Sequence, residues 1–240
     1  MSGRDIDSAT LGNLEIRISA AGLTRCFIVL VAVLVALHAG VQVARFITGN
    51  DRLFGLVYMF SLGADGNVPT LYSSFALLFS ALLLAAIASR AAADRGYWWV
   101  LSLAFLFLTL DESLEIHEKL FGPLRQSLHT SGLLHYAWVI PYGIGAAAFG
   151  LAYVRFLMRL PRRTAVIFVV AGLAYVGGAV GMEMIGGLLF EESGSRSAVY
   201  VLAQSVEEIL EMGGIVLFIY ALADYVERHC GGLTLRLGSA

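Results

Sequence analysis

The sequence predicts an all-α, polytopic membrane bundle of six transmembrane helices. Both termini are expected in the cytoplasm, with one short interfacial helix after the first span. Three observations lead there. The chain is 58% hydrophobic and only 14% charged, with a mean hydropathy of +0.78, whereas a soluble domain is about a quarter charged. Six apolar runs reach the ~20 residues that a bilayer demands. Arginine and lysine also divide unevenly between alternate loops. The same composition excludes a disordered chain. A net charge of −2 argues against a nucleic-acid partner. Two cysteines exclude a disulfide scaffold.

The elements follow in order. A polar segment, 1–24, carries Arg4, Asp5, Asp7, Glu15 and Arg17 in balance. The apolar stretch after it is longer than a signal-peptide core, so it reads as a retained span. The six-helix domain occupies 25–228, and a cytoplasmic tail occupies 229–240. The first span runs from Arg25 to Ile47 and contains His38. Asp51 to Ser61 is too short to cross and reads as interfacial. Gly63, Asp65, Gly66 and Asn67 form a turn. The second span runs from Pro69, in the first helical turn, to Ala91. The third runs from Tyr97 through Asp111 to about Glu118, and the fourth from His135 to Met158. The fifth covers Thr164 to Met184 and extends toward Phe190. The sixth covers Ala198 to Ala223.

With the N-terminus inside, eleven arginines fall in inner segments, and five basic residues fall outside: Arg45, Arg52, Lys119, Arg125 and Arg196. Positive charge marks the cytoplasmic side. The loop from Arg155 to Arg163 is its strongest marker.

The acids break this pattern. Asp111, Glu112, Glu115 and Glu118 lie on the third span, Glu183 on the fifth, and Glu207, Glu208 and Glu211 on the sixth. A charge at the bilayer centre costs about 2.5–3.5 kcal/mol on the mildest scale. Eight unpaired charges would therefore exceed the stability of an ordinary domain, about 5–15 kcal/mol. Protons, cations or water must compensate them, because no basic residue intervenes before Lys119.

At 100° per residue, a continuous third helix groups Asp111, Glu115 and Glu118 within about 60° and turns His117 about 120° away. Glu207, Glu208 and Glu211 fall within about 100°, on a face shared with Tyr200, Gln204 and Gly214. Asp111, His38 and the Glu207–Glu208 pair reach similar depths, about 10–15 Å below the outer surface. Glycines 177 and 181, with Gly172, Ala179 and Gly187, offer close helix packing around Glu183. Gly213 and Gly214, just beyond Glu211, would make room for a substrate or loosen the helix.

These residue types suit a divalent ion (Fe, Zn, Mn, Mg or Ca). The expected ligands are Asp111, Glu112, Glu115, Glu207, Glu208, Glu211 and His38, with Glu208 or Glu211 as the catalytic base. No Glu-x-x-His, H-E-x-x-H, G-x-S-x-G or P-loop motif accompanies them. His117, His129 and His135 lie near enough in sequence to join the site or to stay structural.

Asn67-x-Pro69-Thr70 before Ser73-Ser74, Leu110-Asp111-Glu112 leading to His117-Glu118, and Glu207-Glu208 leading to Glu211-Met212 resemble the motifs of a group of small multi-pass bacterial membrane proteins without an assigned function. The likeness covers the second to sixth helices. It implies the same fold, a bacterial inner-membrane location and a role for these acids. It implies no reaction.

Three functions are compatible with this reading. A metal-dependent membrane enzyme would act on a lipid-soluble substrate. A proton- or cation-coupled transporter or channel would use the acids as a relay. A subunit or assembly factor would pair them with a partner in an oligomer or membrane complex. The lipid bilayer is the one partner common to all three.

Overall fold

The computed structural model describes residues 14–237. Arg4, Asp5 and Asp7 lie outside them, as do residues 238–240. Six helices are long and apolar enough to cross a membrane, and they form one multi-pass bundle.

Strand β1 (Leu14–Ile18) leads into helix α1 (Ala20–Thr48). The Ser19 side chain accepts a hydrogen bond from the Gly22 N–H, which satisfies one of the free donors at the helix start. Gly49 ends α1 at φ 66°, a left-handed value that glycine adopts without strain.

The following segment folds back against α1. A 3₁₀ turn (Leu53–Gly55) and the five-residue helix α2 (Leu56–Phe60) pack back along α1. They deliver the Leu62 N–H to His38 Nδ1 at 3.0 Å. His38 lies ten residues before the end of α1, about 15 Å along its axis. The segment therefore folds back into the bundle as a re-entrant loop that buries Val57 and Leu62 and leaves Phe54, Tyr58 and Met59 exposed.

Asn67 closes this segment and opens α3 (Val68–Arg90). Its Oδ1 accepts from the Thr70 N–H, and its Nδ2 donates to the carbonyls of Tyr58 and Ser61. The Asn-x-Pro-Thr motif is thus a helix cap that also ties down the re-entrant loop.

Helix α4 (Arg95–Leu114) stops earlier than a continuous third span would. Glu115 adopts φ 52° and breaks the helix. Helix α5 (Ile116–Leu128) then leaves in a new direction, amphipathic and without a buried residue. Helix α6 (Val139–Arg159) stands off from its neighbours on large aromatic side chains. Tyr153, for example, donates to the Tyr97 carbonyl at 2.8 Å.

The fifth span is one continuous helical rod from Arg162 to Ser193. It comprises α7 (Arg162–Val176), a π-helical turn (Gly177–Met182) and α8 (Glu183–Ser193). Helix α9 (Ala198–His229) extends past the expected end at Ala223. Strand β2 (Leu233–Leu237) pairs antiparallel with β1, from Leu14 opposite Leu237 to Ile18 opposite Leu233. This ribbon was not expected from an all-α reading. It brings the two ends of the chain to the same end of the bundle, as an even number of spans requires.

The spans α3 and α9 are the most buried. Toward the ribbon end they enclose an apolar core of Leu84, Ile87, Trp98, Phe156, Phe218 and Leu222. Large apolar side chains on the outer helices, such as Ile47, Leu151 and Leu173, face outward to lipid. The opposite half of the bundle holds the acids.

Candidate functional site: a buried carboxyl cluster

The π-turn shapes the site. Three glycines (Gly177, Gly178 and Gly181) occupy six residues, so the backbone widens there with few side chains to resist it. π-Turns of this kind recur at functional sites. A Cβ on Gly178 would lie 2.8 Å from the Glu207 carbonyl oxygen and 2.8 Å from Glu211 Cγ. One on Gly214 would lie 2.9 Å from both the Ala171 carbonyl oxygen and the Tyr175 nitrogen. These two glycines let the fifth and sixth spans meet backbone to backbone at the acids. The glycines expected to do so, Gly172, Gly177 and Gly181, would meet nothing within 4 Å. Gly187 packs instead against His135 and Tyr136.

Glu183 follows the π-turn and is buried. Its carboxyl group meets that of Glu207 at hydrogen-bonding approach. Glu207 Oε2 is buried and has no hydrogen-bond partner. The Trp138 indole faces Glu183, and its N–H is likewise buried and unpartnered. Ionised carboxylates only accept hydrogen bonds, so two of them in contact must share a proton or a cation.

Glu208 and Glu211 lie within electrostatic range of Glu112, Glu183 and Asp65. Among the described residues no ion pair involves Glu112, Glu183, Glu207, Glu208 or Glu211. Lys119, the nearest base in sequence, instead donates to the Leu114 carbonyl at the end of α4.

Asp111 is buried but fully engaged. Its Oδ1 accepts from the His117 backbone N–H at 3.1 Å and from the Tyr142 hydroxyl at 2.6 Å. Its Oδ2 meets His117 Nδ1 at 3.0 Å. A continuous helix would have turned His117 away from Asp111, but the break at Glu115 swings it back. The imidazole packs between Trp138, at 4.7 Å between ring centroids, and Tyr142, at 6.3 Å. Burial works against a charged His117, but the hydrogen bond and charge of Asp111 outweigh it. Its pKa is therefore raised, with Glu118 and Asp65 adding to the effect. Burial also raises the carboxyls of Asp65 and Glu118, against the opposing pull of His117.

Of the expected ligands, Glu207 and Glu211 lie on the part of α9 that meets the π-turn, and Glu183 follows that turn. Asp111 is the anchor of His117. Glu115 forms the backbone corner between α4 and α5. His38 does not belong: its Nδ1 accepts from Leu62, and its Nε2 meets Ser205 Oγ at 2.9 Å. With both nitrogens used, the ring clips the re-entrant loop to α1 and α9. His135 binds Glu191 at 2.6 Å, in a clamp with Gly132 and Arg125. His129 ends α5. Neither joins the cluster.

Asp65, which its Gly-rich surroundings mark as a turn residue, is exposed and lies near enough to His117 to feel its charge. No three His, Cys, Asp or Glu side chains among the described residues converge closely enough to hold a metal ion. The arrangement does not fit a preformed divalent site.

The six apolar rods and the carboxyl-lined interior define a multi-pass helical membrane protein with ionisable groups held inside the bundle. The chain belongs to the family described as a domain of unknown function, DUF8692, whose model matches residues 26–225. The match begins in α1 and ends in α9, so it includes the whole cluster. No curated protein and no solved structure matches the chain.

Proposed function

We propose that the carboxyl cluster is a proton- or cation-binding centre in the outer half of the membrane, and that the protein couples its occupancy to transport. The observation that carries this reading is the Glu183–Glu207 contact, with Glu207 Oε2 buried and unpartnered. A site with this deficit takes up a proton or a cation and gives it back when the surroundings change. Two backbone features add support. The re-entrant loop reaches His38, and the fifth span widens into a π-turn beside the acids. Transporters place irregular backbone of this kind around ion sites.

The excess of arginine at the ribbon end favours that end as cytoplasmic, in a bacterial inner membrane. The cluster then opens toward the periplasmic side.

A second reading rests on a different observation. Asp111 holds His117 by Nδ1, which leaves Nε2 free as a fixed base. In a membrane enzyme acting on a lipid-soluble substrate, His117 would accept a proton from the substrate and return that proton to the product. No step is assigned to a divalent ion, because the residues do not converge on one.

Reconstitution in proteoliposomes separates the two. Under an imposed pH or ion gradient, wild-type protein is expected to support flux, and Glu207→Gln to abolish it. Absence of flux across protons, Na⁺, K⁺ and Ca²⁺ would overturn the transport reading. If purified protein instead retained a stoichiometric metal that Glu208→Ala lost, the notion of an acid pair filled by protons would fall as well.

A further inference from the structure

A groove of about 520 Å³ runs between the end of α6 and the start of α7, far from the carboxyl cluster. Val154, Met158, Val166, Val169 and Val170 line it, and Arg162 stands at its mouth. The groove faces lipid, since Val154, Met158 and Val166 are exposed.

Its mouth carries unbalanced positive charge. Arg159 is matched by Asp94 at 2.6 Å, and Arg163 shares Asp224 with Arg228. Arg162, which lines the groove, and Arg155, next to its lining residue Val154 on α6, are exposed and enter no ion pair among the described residues. Helix α7 also starts at this point, behind Pro161, and no side chain caps its first N–H groups. Free N–H groups and the helix dipole favour an anion there.

We propose that this groove binds one anionic phospholipid. An acyl chain would lie along the valines, and the phosphate would sit against Arg162, Arg155 and the start of α7. A zwitterionic lipid fits the apolar part equally well but cancels its own charge at the mouth. The surplus of two arginines therefore selects an anionic headgroup.

Native mass spectrometry of delipidated, detergent-solubilised protein tests the assignment. Phosphatidylglycerol and phosphatidylcholine with identical acyl chains serve as probes. Wild type is expected to retain one phosphatidylglycerol in preference to phosphatidylcholine. Each arginine near the surface contributes roughly a factor of five, so Arg155→Ala with Arg162→Ala removes roughly a factor of thirty. Arg25→Ala, on α1, is expected to leave the preference intact. Val166→Phe fills the groove without altering charge and is expected to lose both lipids.

Equal retention of the two lipids by wild type would overturn the proposal. So would an equal loss in Arg25→Ala, which would reduce the effect to general surface charge. Displacement of the lipid by inorganic phosphate would make the mouth a plain anion site. A change of oligomeric state in Val166→Phe would make the groove a contact between copies of the chain. Either result would also overturn it.

Discussion

The two halves of α9 are built on opposite rules. From Met212 to Val226 the helix is buried on nearly every side. Phe218 stacks on Phe105 at 4.5 Å and meets Phe168 at 4.5 Å. From Ala198 to Glu211 the same helix presents three carboxyls, and two polar side chains hold the re-entrant loop. Gln204 donates to the Gly63 carbonyl, and Ser205 meets His38.

Lipid tails are as apolar as leucine, so helices in a bilayer associate through close packing and hydrogen bonds rather than through hydrophobic burial. The inner half uses that source of stability fully. The acid half forgoes much of it and keeps ionisable groups in contact. A region that gives up stability in this way is retained for what its groups do. The comparison assigns structure to one half and function to the other, and single substitutions can separate them.

The largest expected effect lies in the inner half. Trp98 is 2% exposed and packed by Phe156 at 5.0 Å and Tyr225 at 5.1 Å. Trp98→Ala is expected to cost about 3–5 kcal/mol, read as a large fall in melting temperature. Flux per folded molecule should not change. If flux fell in the molecules that stayed folded, the division between the halves would be wrong.

Gly178 comes next, where the two rules meet. Gly178→Ala drives a methyl group into the α9 backbone at Glu207 and Glu211. It is expected to cost about 1–3 kcal/mol and to impair flux by moving both carboxyls. Gly177→Ala and Gly181→Ala, which meet nothing, should stay within about 0.5 kcal/mol of wild type. Equal effects at all three glycines would mean that the π-turn itself, and not its approach to α9, is what matters.

The sequence made the six spans legible, because apolar length leaves few alternatives. Geometry that departs from a straight helix was not legible. His117 reaches Asp111 only because Glu115 takes a left-handed conformation, which nothing in Leu114-Glu115-Ile116 signals. Asp65 comes within range of His117 only because Asp51–Asn67 folds back on the bundle, held by His38, Gln204 and Asn67, each of which has another ordinary role when read alone. Gly178 and Gly177 are indistinguishable in sequence, and the widened turn decides which of them touches α9.

Smaller effects sharpen the contrast by sign. Glu207→Gln replaces a buried, unpartnered carboxyl with an amide that can donate to Glu183. It is expected to stabilise the protein by about 1 kcal/mol, the net value of one hydrogen bond, while abolishing flux. A stability gain that accompanies lost function would mark the acid half as held for its chemistry. A loss of stability would show instead that the Glu183–Glu207 contact holds the bundle together.

The smallest expected effect concerns pH, at the rim of the acid half. The pKa of His117 is raised by Asp111, Glu118 and Asp65 against its own burial. The folded protein therefore holds the His117 proton more tightly than the unfolded chain does. The resulting stability is fully present below the ordinary histidine value of about 6.5 and is lost as pH rises through the higher folded value. The raised carboxyls of Asp65 and Glu118 change stability in the same direction, so the histidine contribution needs a difference measurement. The melting temperature of wild type, minus that of His117→Gln, should shrink from pH 6 to pH 8.5, by the equivalent of about 1 kcal/mol for one charge-assisted hydrogen bond. Trp98→Ala should show the same pH slope as wild type, because the rings packed on Trp98, those of Phe156, Phe168 and Tyr225, carry no group that ordinarily titrates in this range. A flat difference for His117→Gln would mean that Asp111 holds a neutral ring, and His117 would then be a packed side chain like those around Trp98.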